Sequence, residues 1–269
     1  MPNLAPRQLI FTVYGLYARE ERNWLSVSSA VRLLADVGID AASVRSSISR
    51  LKRRGVLESC KVGRAAGYSL SQQALEMLRE GDVRIFSQRR AEVSDGLMLV
   101  VFSIPESERD RRHSFRTALL QMGCGTVASG VLVAPPGLRP DLRRAIQRMG
   151  LEQNADLFHS RCESFVELKQ RVAEWWDLAA IEAEYREFVA AYQDVPARLK
   201  EAEDPVRAAF ESYVPMLTTW RRLPYRDPGL PLELLPDGWV GEQAADLFTD
   251  LNALLRSRAH EHALRVIHG

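Results

Sequence analysis

The sequence predicts an α+β fold in three successive parts, and three observations carry that reading. Over residues 40–70 a basic helical pattern runs straight into two short strand-like stretches with a basic tip between them. Over residues 97–159 apolar runs alternate with helical periodicity in the order β-α-β(β)-α-β, the sequence form of a small ferredoxin-like α/β domain. Beyond residue 164 the pattern is helical almost throughout, which predicts an all-α C-terminal domain. The expected division is 1–90, 91–164 and 165–269, and a chain of 269 residues is long enough to give each part its own core.

Residues 7–17 read RQLIFTVYGLY, with Leu9, Ile10, Val13, Leu16 and Tyr17 on one side of a buried first helix. Residues 28–37 give a short second helix, with Val31, Leu34 and Ala35 inward and Gly38 as its stop. In the third helix Val44, Ile48 and Leu51 fall at i, i+4 and i+7 and share a face. Asp40 is placed to cap its start and Gly55 lies just past its end. At about 100° per residue, Ser46, Ser49, Arg50 and Arg53 point away from that buried face. The outer face carries small hydroxyls and guanidiniums and no acid, and Ser43, Arg45 and Lys52 border it. A major-groove reader needs that composition. Small residues allow close approach, arginine pairs bidentately with guanine, and serine bonds to phosphate or base.

Residues 56–61 and 67–70 follow as the strands of a hairpin, and Gly63 and Arg64 lie in the tip between them. Lys61 and Arg64 supply cations that can lie along the DNA backbone or reach the minor groove. Helix, tight exit and basic hairpin in this order are the sequence form of a winged helix-turn-helix. The alternative is an arginine-rich helix that merely presents a solvated face. Ser71 caps a fourth helix with Leu75 and Leu78 buried, ending at Gly81.

Residues 84–95 are mostly polar and read as a linker. Residues 97–104, LMLVVFSI, form a buried strand closed by Pro105. A helix over 106–122 buries Phe115, Leu119 and Met122. Residues 126–134 are strand-like, with Gly130 allowing a turn. A helix over 141–149 turns Leu142, Ile146 and Met149 inward, and 156–159 is a short strand. Helices are then expected over 166–176, 181–192, 205–223 and 241–267, with a proline-rich loop before the last.

The net charge is only +1, but the average hides a division. Residues 1–90 hold 15 Lys+Arg against 8 Asp+Glu, a net +7, while the remainder holds 21 against 27, a net −6. A basic head on an acidic body suits a protein in which one part meets a polyanion. The three cysteines, Cys60, Cys124 and Cys162, form neither a disulfide framework nor a zinc spacing, which predicts reduced thiols. The start MPNLAPRQ has no apolar signal core, and no run of about 18 apolar residues occurs. A cytoplasmic protein without membrane contact is expected.

The residues quoted so far carry a family likeness. VRSSISRLKRRGVLESCKVGRAAGYSLS resembles the recognition helix and wing of the PaaX-type repressors, bacterial regulators of phenylacetic acid breakdown. DGLMLVVFSIPESER and GVLVAP resemble that family's middle domain, and RDPGLPLELLPDGWVGEQA resembles its most distinctive segment. The likeness runs from about residue 8 to 259 with the segments in the same order. It implies a dimeric repressor that blocks a catabolic promoter, and because one winged helix presents a small interface, a homodimer on a pseudo-palindromic double-stranded operator is expected. It also implies release by a small-molecule effector, phenylacetyl-CoA or another aromatic acid or thioester.

Candidate effector residues have two readings. Arg221, Arg222, Tyr225, Arg226 and Asp227 beside Trp220 could grip CoA phosphates and stack on adenine. They could instead fix a helix–loop junction, and that reading is favoured. Trp175, Trp176 and Trp239 could line an aromatic pocket, though tryptophans at helical spacing are more often core. His113, His159, His260, His262 and His268 make no metal set, and no cofactor is expected. The middle part also resembles the fold of small CRISPR-associated nucleases, which place an Asp near the end of the first strand. Here that stretch reads Phe102, Ser103, Ile104, Pro105, without a carboxylate. No phosphate loop, nucleophile elbow or HExxH pattern occurs, so the chain is not expected to be an enzyme. A metal-dependent nucleic-acid-processing protein is the alternative reading.

Overall fold

The computed structural model describes residues 4–86, 90–163 and 165–269. The chain divides into two compact units. One gathers Met1–Phe86, Glu187–Arg221 and Glu242–Gly269, and the other Ser87–Arg186 and Arg222–Gly241. Compactness thus groups the segments otherwise than chain order does.

In the first unit α1 (Pro6–Val13) passes into a π-helical turn over Tyr14–Ala18. The strand β1 (Leu25–Ser26) and the helices α2 (Val27–Asp36) and α3 (Ala41–Arg53) follow. Ser26 caps α2 by accepting from the Ser29 amide at 2.9 Å. Ala30, Leu33 and Leu34 are buried on α2, whereas Val31 is half-buried and Ala35 exposed, a correction to the expected inward set. The reason is phase: the helix starts at Val27, and its core stripe falls one residue earlier.

β2 (Leu57–Val62) and β3 (Ala65–Leu70) form an antiparallel hairpin, and β1 adds to β3, giving the order β1-β3-β2. α4 (Gln72–Phe86) begins where the Ser71 hydroxyl accepts from the Ala74 amide at 3.2 Å. It does not stop at Gly81. Gly81 is buried within the helix, and the final turn is held by tertiary contacts. Phe86 packs on Phe248 with centroids 6.1 Å apart, and the Ile85 carbonyl accepts from the Trp220 indole at 3.2 Å. A glycine costs a helix interior only about 1 kcal/mol, and such packing outweighs it. The expected linker is corrected accordingly. Residues 84–86 are helix, and residues 87–89 lie outside the described residues. Arg90 is anchored, its guanidinium donating to Asp227 at 2.9 Å and to the Leu230 carbonyl at 3.1 Å.

The second unit holds β4 (Leu97–Phe102), α5 (Arg109–Gln121), β5 (Gly125–Ala128), β6 (Val131–Ala134), α6 (Arg139–Arg148) and β7 (Ala155–Ser160). Its sheet is antiparallel in the order β5-β6-β4-β7, the ferredoxin-like arrangement that the alternation predicts. The run 126–134 is two strands that turn at Gly130. Met98, Val100, Phe102 and Leu132 of the sheet pack against Phe115 and Leu119 of α5 and Leu142 and Ile146 of α6. Phe102 meets Phe115 edge-on at 5.2 Å, a geometry worth roughly 0.5–1.5 kcal/mol beyond burial.

The C-terminal part is helical: α7 (Leu168–Trp175), α8 (Leu178–Tyr192), α9 (Val195–Glu201), α10 (Pro205–Trp220), α11 (Leu223–Arg226) and α12 (Val240–His268). The expected boundary at residue 164 lies outside the described residues. α10 and α12 bring core to the first unit. The buried Thr218 hydroxyl meets that of Thr12 at 2.7 Å, and Tyr17 lies 5.7 Å from Phe210. Asp36 on α2 is bonded to His262 at 2.8 Å and Arg207 at 3.0 Å.

Candidate nucleic-acid interface

α3 is held at both ends by its own sequence. The Asp40 carboxylate accepts from the amides of Ala42 and Ser43, each at 2.9 Å, satisfying donors that the first helical turn leaves open. These bonds hold the Asp40 carboxyl below its ordinary value, the bonds to Ser43 first. At the other end the Gly55 amide bonds to the Lys52 carbonyl and the Val56 amide to that of Leu51. This pair of bonds stops the helix and turns the chain into β2. Val44, Ile48 and Leu51 are buried, as their spacing predicts.

Arg45, Ser46, Ser49, Arg50, Lys52 and Arg53 are all exposed, and Ser43 is half-buried. Arg50 donates to the Ser46 hydroxyl at 3.0 Å. Among the described residues none of the cations on this helix is held in an ion pair. At about 100° per residue Arg53 stands opposite Val44, with Ser46 and Ser49 beside it. Arg45 and Lys52 lie on one flank. Arg50 and Arg54 lie on the other.

The hairpin is tight. Val62 pairs with Ala65, leaving Gly63 and Arg64 as a two-residue turn. Gly63 has φ +59°, the conformation a type II′ turn demands at its first central position. Lys61 and Arg64 are exposed at this end. β1 is seated on β3 by Gly67, where any Cβ would lie 2.3 Å from the Leu25 carbonyl and 2.5 Å from the Trp24 indole.

Two hollows flank α3. One, of about 510 Å³, is lined by Ser26, Ser28 and Arg32 of the α2 region, Arg45 of α3, and Ala65 and Ala66 of the hairpin. The other, of about 200 Å³, lies between the start of α1 and the C-terminal half of α3 and is lined by Arg7, Ser47, Arg50 and Arg54 among others. Arg7, Arg32 and Arg54 were not singled out by spacing. Only Arg54 had a signal, four residues after Arg50. The other two come to α3 through the tertiary fold.

The candidate effector residues divide between the two units. Trp176 is buried and donates to the Gly123 carbonyl at 2.8 Å. Trp220 is buried and stacks on Phe248 at 4.4 Å. Trp239 is buried beside Tyr185. Arg221 lies over the Phe11 ring at 4.9 Å and donates to the Gln8 carbonyl. Trp220 and Arg221 belong to the first unit; Trp175, Trp176, Arg222, Tyr225, Arg226 and Trp239 belong to the second. Arg226 pairs with Glu184 at 3.2 Å. Asp227 is buried and accepts from Arg90, from the Tyr185 hydroxyl and from the Gly229 amide. It therefore fixes a junction. Trp175 and Tyr225 are half-buried, and Arg222 and Arg226 exposed.

Among the described residues no three His, Cys, Asp or Glu side chains gather where they could hold a metal ion. His260 and His262 reach different acids, Glu20 and Asp36. Among the described residues no helix is long and apolar enough to cross a membrane.

Comparison with known proteins follows this architecture. A model of the PaaX-like protein matches residues 5–74. One described as the PaaX protein central Cas2-like domain matches 91–172. One of the PaaX-like protein C-terminal domain matches 176–265. The chain is 30% identical over 248 residues to the transcriptional repressor PaaX of Escherichia coli (strain K12), spanning 89% of this chain and 77% of that protein. A solved structure, the uncharacterized protein Rv0674 from Mycobacterium tuberculosis, shares the fold with a TM-score of 0.52 at 24% identity, over 93% of this chain and 99% of its own. Matched in all three parts and in their order, the chain belongs to the PaaX-like protein family.

Proposed function

We propose that this protein is a transcriptional repressor that binds operator DNA through a winged helix-turn-helix formed by α1–α3 and β1–β3. In this reading α3 enters the major groove and the β2–β3 hairpin is the wing. The observation that carries it is the outward face of α3, where Ser46, Ser49 and Arg53 stand exposed between cationic flanks with no carboxylate among them. Such a face costs self-repulsion in isolation and gains by meeting a polyanion. The relationship to a named transcriptional repressor supports the same class. A single winged helix presents a small interface, so the repressor acts as a homodimer on half-sites spaced by whole turns, multiples of about 10 bp. The apolar helices after residue 164 supply part of the dimer contact.

The effector is an aryl-acyl-CoA or a related aromatic acid, bound in the second unit near Trp175, Arg222, Tyr225 and Arg226. It releases DNA because it binds the DNA-incompetent arrangement better. A metal-dependent nuclease has weaker support, since Phe102–Pro105 offers no carboxylate. Gel shifts on the DNA upstream of the protein's own gene test the reading. A complex that resists a scrambled duplex, and that phenylacetyl-CoA or another aromatic thioester weakens at least tenfold, is the expected result. Metal-dependent cleavage of the probe without a stable complex would replace the repressor by the nuclease. A stable complex indifferent to every aromatic acid and thioester would remove the effector alone.

A further inference from the structure

We propose that the groove between the start of α1 and the C-terminal half of α3 is a DNA backbone-phosphate site formed by Arg7, Arg50 and Arg54. The inference rests on the DNA-binding reading and adds to it a clamp beside the reading face. Three arginines line one groove of about 200 Å³ whose walls include no carboxylate. Among the described residues none of the three is held in an ion pair, and the partner Arg50 does have is the neutral Ser46 hydroxyl. Several arginines of the second unit are, by contrast, matched at short range. Arg111 faces Glu108, Arg112 faces Glu106, and Arg171 faces Glu174. Like charges gathered without a counterion repel, so the arrangement fits an anion supplied from outside.

The place of the groove on the helix identifies that anion. Arg50 and Arg54 lie about 60° and 100° around the helix from Arg53, on the flank rather than at the centre of the outward face. A helix seated in the major groove turns its centre to the base edges and its flanks to the strands that wall the groove. The guanidinium fork matches phosphate oxygens bidentately. Arg7 comes from a fixed frame. Pro6 opens α1, the Ala5 amide donates to the Gln8 side chain at 3.1 Å, and the Gln8 amide returns to the Ala5 carbonyl at 2.8 Å. A side chain on a pinned helix start loses less freedom on binding than one on a loose arm. Arg50 is thereby reassigned from base reading to phosphate holding.

Fluorescence anisotropy on the full-length protein tests this, using a duplex from its own upstream region and a scrambled duplex across a salt series. Arg7→Ala and Arg54→Ala should each weaken both duplexes alike, by roughly tenfold. Each should flatten the log–log salt dependence by about 0.9. Arg54→Lys should restore most of the loss, because a phosphate contact survives as a point charge. Replacing the contacted phosphate by an uncharged methylphosphonate should weaken wild-type binding and weaken Arg54→Ala by less. Wild-type affinity and slope in both alanine variants, with binding lost on Arg64→Ala, would overturn the clamp while leaving DNA binding in place. A loss confined to the upstream duplex would overturn it too, making these arginines base readers. Loss of unacylated CoA binding in Arg54→Ala, with DNA binding intact, would assign the groove to a small phosphorylated ligand instead. A wild-type protein that binds neither duplex removes both readings at once.

Discussion

Arg53 stands at the middle of the outward face of α3, directly opposite the buried Val44, and Ser46 and Ser49 beside it leave room for close approach. Arg64 stands at the tip of a two-residue turn, where a side chain reaches backbone more readily than a base edge. Both are exposed arginines, yet their places predict opposite signatures. Arg53→Ala should cost roughly 1–3 kcal/mol on the operator and little on a scrambled duplex, so specificity falls. Arg64→Ala should weaken both duplexes evenly and flatten the salt dependence. Affinities of the two variants on the two duplexes decide it. An Arg53 variant with unchanged specificity would move the reading face elsewhere on the helix. At this scale the sequence was informative where helical phase settles orientation, as for Arg53. It was silent on Arg7, because only the packing of α1 on α3 brings that residue to the groove.

The elements that present those residues depend on two local devices. The first is the cap on α3. Its bonds to the Ala42 and Ser43 amides hold the Asp40 carboxyl below its ordinary value of 3.8. A depressed folded value adds stability that is complete above 3.8 and fades as pH falls through the lower folded value. Asp40→Ala should therefore lower the melting temperature at neutral pH, and the gap from wild type should shrink in strong acid. A gap that is constant with pH would mean that the carboxylate does not act as the cap. The second device is Gly67, whose missing Cβ lets β1 and Trp24 lie against β3. Gly67→Ala should cost roughly 1–3 kcal/mol by forcing strand and indole apart, and should weaken DNA binding by displacing the hairpin. A variant with wild-type melting and DNA affinity would show that the contact can yield. The longer elements were legible because their periodicity spans several turns or a full strand. β1 was not, because two residues carry no period. The π-helical turn and α9 escaped for related reasons: one is a local change of winding inside a helix, the other only seven residues long. α4 outran its expected stop because contacts from Trp220 and Phe248, over a hundred residues away, hold its last turn.

At the scale of the whole molecule, charge and compactness divide the chain differently. The basic head is contiguous in sequence, with a net charge of +7 over residues 1–90, but its core is not. Tyr17, 3% exposed, lies against Phe210, and the Thr12 hydroxyl accepts from that of Thr218. Asp36 on α2 is held by His262 and Arg207, and the Arg32 guanidinium donates to the Val266 carbonyl at 2.6 Å. These partners all come from α10 and α12. Pattern along the chain could not reveal this, because an amphipathic helix displays its apolar stripe without naming what covers it. A small domain has only about 5–15 kcal/mol of net stability, and each large side chain left uncovered forfeits roughly 1.5–3 kcal/mol. Residues 1–90 expressed alone would uncover Tyr17 and lose the Thr218 hydroxyl that donates to Thr12, so they should lack a cooperative melt and fail to bind the operator. In the full chain Phe210→Ala, at a buried position that is not among the proposed DNA contacts, should cost roughly 3–5 kcal/mol and weaken operator binding through loss of the folded head. The check is calorimetry and anisotropy on both proteins. If residues 1–90 melt cooperatively at the temperature of the full chain and bind the operator alone, the head is self-sufficient and α10 and α12 merely lie against it.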